Sequence, residues 1–203
     1  MEIYIIRHGE TVWNREKRLQ GTSDIELNEE GRRLARETGK NLWNVEFDIV
    51  YASPLKRAYE TAELITAKRP ITVIRDNRIR EIGFGVLEGK TTDQMTEEER
   101  KRVNQFFEAP ESYIPAEGGE QIEDAAKRAA EFIKEQIEPL EEKGYKRIMI
   151  VAHGAINKAM MMYIKQHGKQ LFWSGGFQKN CNAIIVDYKN GCYQVISEEN
   201  VFY

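Results

Sequence analysis

The sequence predicts an α/β protein: a three-layer α/β/α sandwich on a mostly parallel sheet, with an antiparallel edge and an inserted helical lid. Two apolar runs carry much of this expectation, Ile3-Tyr4-Ile5-Ile6 and Ile148-Met149-Ile150-Val151-Ala152. Strands covered by helices on both faces read as continuous apolar runs, whereas half-exposed strands alternate. Segments of helical period lie between the runs, giving the strand–helix rhythm of a layered α/β fold. The run near the C-terminus instead alternates, as at Val195 and Ser197, and suits an antiparallel edge.

In chain order the pattern predicts strand 2–6, helix 28–43, strand 47–52, helix 54–67 and strand 71–75. Asn28 is a candidate N-cap, and Leu34, Ala35, Thr38, Leu42 and Trp43 then recur at helical spacing. Ser53 and Pro54 read as the N-cap and first residue of the next helix. Segment 78–118 is the least regular part and carries Phe106, Phe107, Tyr113 and Ile114, either as a subdomain burying its own aromatics or as a lid over a site. Helix 119–138 follows, with Ile122, Ala126, Ala129, Ala130, Phe132, Ile133 and Ile137 on one face. Strand 147–152, helix 154–166 and a hairpin near 181–198 complete the chain. His167-Gly168 reads as the end of helix 154–166, with the glycine as its cap. No linker, repeat or low-complexity tract divides the sequence, so one domain, 1–203, is expected.

Of the 203 residues 41% are hydrophobic and 31% charged, enough to build a core, and the net charge is −3. No long Lys/Arg run occurs, which disfavours a nucleic-acid partner. The N-terminal apolar run is too short for a signal peptide or membrane span, so a soluble cytoplasmic protein is expected. Asn190-Gly191 predicts a type I′ turn that pairs Lys189 with Cys192 and Cys181 with Asn200. On that register the two sulfurs lie roughly 26 Å apart, too far for a disulfide, and both are expected as buried free thiols.

Chemistry concentrates at the ends of the strands. The chain has three histidines, and two of them, His8 and His153, stand just before glycine at the tips of the two apolar strands. Carboxyl ends of strands are where open α/β sheets bind ligands. Either histidine alone could be a packed side chain. Arg7 beside His8, however, disfavours a divalent metal and the imidazolium, favouring a neutral nucleophile. Arg57 falls near the start of helix 54–67, where free N–H groups and a guanidinium suit an anion. Glu81 and Glu88, in a glycine-rich connection, are the candidate general acids. Two imidazoles, two arginines and a carboxylate suit transfer of a phosphoryl group to a histidine nitrogen, chemistry that is mostly positioning and electrostatic stabilisation. No metal-ligand spacing appears, so no metal and no cofactor are expected.

These motifs resemble the histidine phosphatase superfamily, whose other branch is the cofactor-dependent phosphoglycerate mutases. The resemblance runs from Arg7-His8-Gly9-Glu10-Thr11-Val12-Trp13-Asn14 through Leu19-Gln20-Gly21, Asp24 and Leu27-Asn28-Glu29-Glu30-Gly31. It continues in Ser53-Pro54-Leu55-Lys56-Arg57-Ala58 with Thr61-Ala62, in Arg80-Glu81-Ile82 with Gly85, Leu87, Glu88 and Gly89, and in His153-Gly154. It implies a phosphoglycerate mutase-like fold. His8 is then the nucleophile that becomes phosphohistidine, and Arg7, Arg57 and His153 hold the phosphoryl oxygens. Glu81 is implied as the acid and then the base, with Asn14, Gln20, Gly21 and Gly154 in the phosphate pocket. Glu26 stands where the family often has proline, Lys158 where it often has arginine, and Gly119-Glu120-Gln121 where it often has Gly-Glu-Ser.

The chain is shorter than typical mutases and lacks their paired arginines after the acid block. Glu81-Ile82-Gly83-Phe84-Gly85 with Glu88-Gly89 reads more like the phosphatase branch, which includes broad-specificity and α-ribazole phosphatases. The expectation is a metal-independent phosphatase of small phosphorylated metabolites; the alternative is a 2,3-bisphosphoglycerate-dependent phosphoglycerate mutase. A non-catalytic phosphate-binding protein is disfavoured by the intact set of five residues. The aromatic stretch Leu171-Phe172-Trp173-Ser174-Gly175-Gly176-Phe177 either caps the core or, if exposed, supports a homodimer or lines the substrate entrance.

Overall fold

Alternation along the central strands sorts the core into two halves. The computed structural model describes all residues from Met1 to Tyr203. Strand β1 (Glu2–Arg7) turns Ile3 and Ile5 to one face of the sheet and Tyr4 and Ile6 to the other. Strand β4 (Arg147–Ala152) does the same with Ile148 and Ile150 against Met149 and Val151. The first face is covered by α5 (Ile122–Phe132) and α7 (Gly154–Lys165), the second by α2 (Glu29–Asn41) and α3 (Lys56–Thr66). Because both faces are covered, both residue sets must be apolar, which is why these strands do not alternate in sequence.

The sheet has six strands in the order β3-β2-β4-β1-β5-β6, with β2 at Ile49–Ala52, β3 at Val73–Arg75, β5 at Ala183–Lys189 and β6 at Cys192–Asn200. Strands β1 to β4 run parallel, β5 is antiparallel to β1, and β6 is antiparallel to β5 at the edge. Register places the site. Arg7 is opposite Ala152, and Ala52 is opposite Val151. The next residues of the three strands, His8, His153 and Ser53, therefore emerge side by side at the carboxyl edge. Segment 78–118 contains 3-10 turns and α4 (Glu97–Glu108), and its Phe84, Phe106 and Tyr113 join the core on the α5/α7 face.

Several local expectations need correction, each for a tertiary reason. Helix α3 begins at Lys56, not Pro54, with Leu55 as its cap. The Ser53 hydroxyl is bonded to His153 Nε2, and Asp24 accepts from the Lys56 N–H at 2.7 Å, capping α3 from another part of the chain. The expected helix 119–138 starts at Ile122 and opens into a π turn over Ile133–Ile137, followed by the short α6 (Pro139–Glu142). Pro139 has no N–H and crowds the carbonyl four residues back, and the wider turn accommodates both effects. At the end of α7 the left-handed residue is Gln166, φ 53°, and not Gly168. Trp43 lies outside the buried face of α2, under the Arg69 guanidinium at 5.8 Å.

The Asn190-Gly191 turn has positive φ at both residues and pairs Lys189 with Cys192, as expected. Two register shifts between Ala183 and Val186 then bring Asn200 opposite Ala183 instead of Cys181. Cys181 leaves the hairpin in a left-handed conformation and is buried, donating its N–H to the Arg7 carbonyl at 2.9 Å. Cys192, expected buried, is exposed; both thiols are free.

Candidate active site

The tip of β1 is braced by three contacts that set the orientation of His8. Its N–H donates to the Ala152 carbonyl at 2.9 Å, and its own carbonyl accepts from Asn180 Nδ2 at 2.9 Å. The Gly9 N–H donates to Thr61 Oγ1 at 2.9 Å. Gly9 needs its lack of a side chain here, since a Cβ would meet the Gly31 carbonyl oxygen at 2.6 Å. His8 Nδ1 lies 2.7 Å from the Gly9 carbonyl, which can only accept, so Nδ1 carries the proton. Nε2 then holds the lone pair. Burial, followed by the Arg57 and Arg7 charges, pushes the His8 imidazole well below its ordinary range, so the ring is neutral at pH 7.

Arg57 is fully buried in the first turn of α3. Its Nη1 and Nη2 donate to the Ser23 and Gly21 carbonyls, both at 2.7 Å, and Nε donates to His153 Nδ1 at 3.1 Å. Five N–H groups less three leaves two for a ligand. Burial lowers its pKa to about 10, still far above neutrality, so the cation persists. Thr61 ties the arginine to the tip of β1: its hydroxyl donates to the Arg57 carbonyl at 2.6 Å while accepting from Gly9. Arg7 donates through Nη1 to the Gln178 carbonyl at 2.6 Å, and its buried Nε has no partner.

His153 lies behind this pair. Its ring centroid is 5.1 Å from that of His8, and it is fully buried. Since Arg57 can only donate, Nδ1 is the acceptor, and Nε2–H donates to Ser53 Oγ at 2.7 Å. Burial and the neighbouring Arg57 hold this imidazole neutral as well.

The two glutamates separate clearly. Glu81 faces the cleft, its carboxylate accepting from the N–H groups of Ile82 (3.0 Å), Ile156 (2.9 Å) and Ala155 (3.2 Å) at the start of α7. Glu88 instead binds Thr22, Ser23 and Phe84 through both oxygens, clamping the Gln20–Ser23 loop to the acid block. Gly21, φ 53°, is required there, because a Cβ would fall 2.0 Å from the Glu88 carboxylate. A Cβ added at Gly154 would lie 3.7 Å from Arg7 Nε and 4.0 Å from Glu81 Oε2, which places this glycine beside both groups.

Arg7, His8, Gly21, Arg57, Glu81 and Gly154 line a cleft of about 600 Å³ together with Arg18, Asn14 and Gln20, while His153 is buried behind it. Asn14 Oδ1 is occupied by Thr11 at the cap of α1 (Val12–Arg15), which leaves its NH₂ free, and the buried Gln20 Oε1 has no partner. The far wall was not anticipated as a unit. Phe84, Phe106, Phe107, Trp173 and Phe177 form it, with Trp173 stacked on Phe177 at 4.5 Å and its Nε1 donating to the Phe106 carbonyl at 2.7 Å. In the 171–177 stretch Phe172 is in the core, and Phe177, 61% exposed, lines the cleft. Lys158 anchors this stretch through a 2.7 Å bond to the Ser174 carbonyl. Thr61, Gln178 and Asn180 were missed as supports; only Thr61, one helical turn after Arg57, left a signal in its spacing.

Fold and cleft together define an α/β protein built around an anion cradle at the carboxyl edge of its sheet. Residues 3–200 match the histidine phosphatase superfamily (branch 1), and the chain belongs to that family. It is 34% identical over 164 residues to a 2,3-bisphosphoglycerate-dependent phosphoglycerate mutase 2 of Gloeobacter violaceus, covering 79% of this chain and 74% of that one. Against phosphoserine phosphatase 1 of Hydrogenobacter thermophilus it is 27% identical, over 91% and 86% of the two chains. Among solved structures, Bacillus stearothermophilus YhfR superposes with a TM-score of 0.87 at 34% identity, covering 97% and 96%. The family holds both phosphatases and mutases. No helix is long and apolar enough to cross a membrane.

Proposed function

We propose that this chain is a metal-independent phosphatase that hydrolyses small phosphomonoesters through a phosphohistidine on His8, in the cytoplasm. The observation that carries the reading is the tautomer of His8: with Nδ1–H committed to the Gly9 carbonyl, Nε2 presents a lone pair to a cleft flanked by two guanidiniums and one carboxylate. In the first step Nε2 attacks phosphorus and the ester P–O bond breaks, the leaving oxygen taking a proton from Glu81. In the second, water attacks phosphorus, its proton passes to Glu81, and the P–N bond breaks. Arg7 and Arg57 take the equatorial oxygens with their free N–H groups, and Asn14 and Gln20 complete the pocket. His153, buried behind the cleft, keeps Arg57 in place through Nδ1 and is itself held by Ser53 through Nε2.

The aromatic wall supports hydrolysis over phosphoglycerate isomerisation. A mutase must also hold a carboxylate, and outside the cradle the cleft is lined mainly by five aromatic rings, with Arg18 as the one further cation. The test is phosphate release from a panel of sugar phosphates, phosphoglycerates, nucleotides and phosphoamino acids, with His8→Ala as control. Turnover that needs His8 and survives EDTA is expected. Efficient bisphosphoglycerate-dependent isomerisation of 3-phosphoglycerate with negligible hydrolysis would overturn the reading in favour of the mutase.

A further inference from the structure

The stretch that carries Glu81 has no strand ladder or helix of its own. Residues 80–84 run between two short 3-10 turns, Asn77–Ile79 and Gly85–Leu87, so their main-chain groups must be satisfied from elsewhere. Arg128, on α5, has all five of its N–H groups engaged here, three of them on main-chain carbonyls. Its Nη1 donates to the carbonyls of Arg78 and Arg80, both at 2.6 Å, and Nη2 to the carbonyl of Glu81 at 3.2 Å. The remaining two go to the carboxylate oxygens of Glu120, at 2.7 and 2.8 Å. Glu120 in turn accepts from the Gly83 N–H at 3.3 Å, and so holds the chain on the other side of Glu81. Both side chains are largely buried, 11% and 15% exposed. A buried ion pair is a weak source of stability compared with well-packed apolar residues. What this one supplies is a fixed path for a loop.

We propose that Arg128 and Glu120 are a positioning pair for Glu81, setting the distance between its carboxylate and the leaving oxygen without touching substrate. The inference rests on the reading of Glu81 as proton donor. The carboxylate is held from α7 and the backbone from Arg128, and slack at either end moves the acid. Proton donation tolerates little displacement, since donor and acceptor must come within hydrogen-bond reach. Lysine cannot replace the arginine, having three N–H groups and no planar fork to meet three carbonyls and both oxygens of a carboxylate.

Leaving-group dependence distinguishes positioning from general damage. p-Nitrophenolate departs as a stable anion and needs no proton, whereas the alkoxide of β-glycerophosphate does. The value of kcat/KM, which reports P–O cleavage, is measured on both esters for Arg128→Lys, Glu120→Gln and Glu81→Gln, with circular dichroism and melting to confirm folding. Arg128→Lys is expected to lose about tenfold or more on β-glycerophosphate and less than about threefold on p-nitrophenyl phosphate. Glu120→Gln, which keeps the shape and removes the charge, should show the same selectivity more weakly; it carries the test if Arg128→Lys does not fold. Equal losses on both esters, or none on either, overturn the positioning role. If Glu81→Gln itself shows no selectivity, the proton-donor assignment fails first and the pair loses its role with it.

Discussion

Two neutral buried imidazoles make the stability of this protein depend on pH in a window where carboxylates contribute little. His8 and His153 are both held well below the usual histidine range, by burial first and then by Arg57. In the unfolded chain each titrates near 6.5. Below that value the unfolded state binds protons that the folded state refuses, so stability falls as pH drops, and the loss continues down to the folded-state values. Each site contributes up to about 1.4 kcal/mol per pH unit, and the two together about 2.7 kcal/mol. Urea unfolding at pH 7.5, 6.0 and 5.0 reads this directly. With a slope of about 2–3 kcal/mol per molar urea, the midpoint should fall by roughly 1 M between pH 6.0 and 5.0. His8→Gln removes one titrating group and should halve the decline. An identical decline in wild type and variant would refute the claim that His8 is held neutral by the fold. The same shift predicts that kcat/KM shows no acid limb from His8 near pH 6.5.

Two further outcomes follow from the cradle. Arg57→Met removes a guanidinium worth on the order of 4 kcal/mol to a charge ~4 Å away at an effective dielectric near 20, before desolvation. A fall in kcat/KM of about 100- to 1,000-fold is therefore expected, and a loss under tenfold would contradict the placement of Arg57. Gly21→Ala forces a Cβ into left-handed backbone and against a Glu88 carboxylate fixed by Thr22, Ser23 and Phe84. It should cost about 1–3 kcal/mol in urea unfolding and weaken catalysis through the Gly21 carbonyl that holds Arg57; unchanged stability would sink the argument.

How far the sequence could be read depended on whether a residue's role is local. Strands β1 and β4 were legible because burial on two faces makes every residue apolar, and His8 and His153 because the strand tips followed from those runs. Composition and spacing do not separate Glu81 from Glu88; only the family resemblance singles out Glu81. Both stand in the same glycine-rich stretch, and only the arrival of α7 at one and of the Thr22–Ser23 loop at the other divides their work. Arg128 gave no signal at all, since an arginine on an amphipathic helix is ordinarily solvated. The start of α3 was misplaced because its cap, Asp24, comes from thirty-two residues away in the chain. The bulges that displace Cys181 from the hairpin are likewise set by its packing at the end of β1, which no turn motif records.

The hydrogen bond from Trp173 to the Phe106 carbonyl joins two stretches of chain into a single wall, and none of the aromatic residues of that wall forms the phosphate cradle. On the proposed function, recognition of the ester's organic half can consequently drift while the phosphate-handling half stays fixed. Substitutions among Phe107, Trp173 and Phe177 would exchange one substrate for another without altering how a phosphoryl group is gripped.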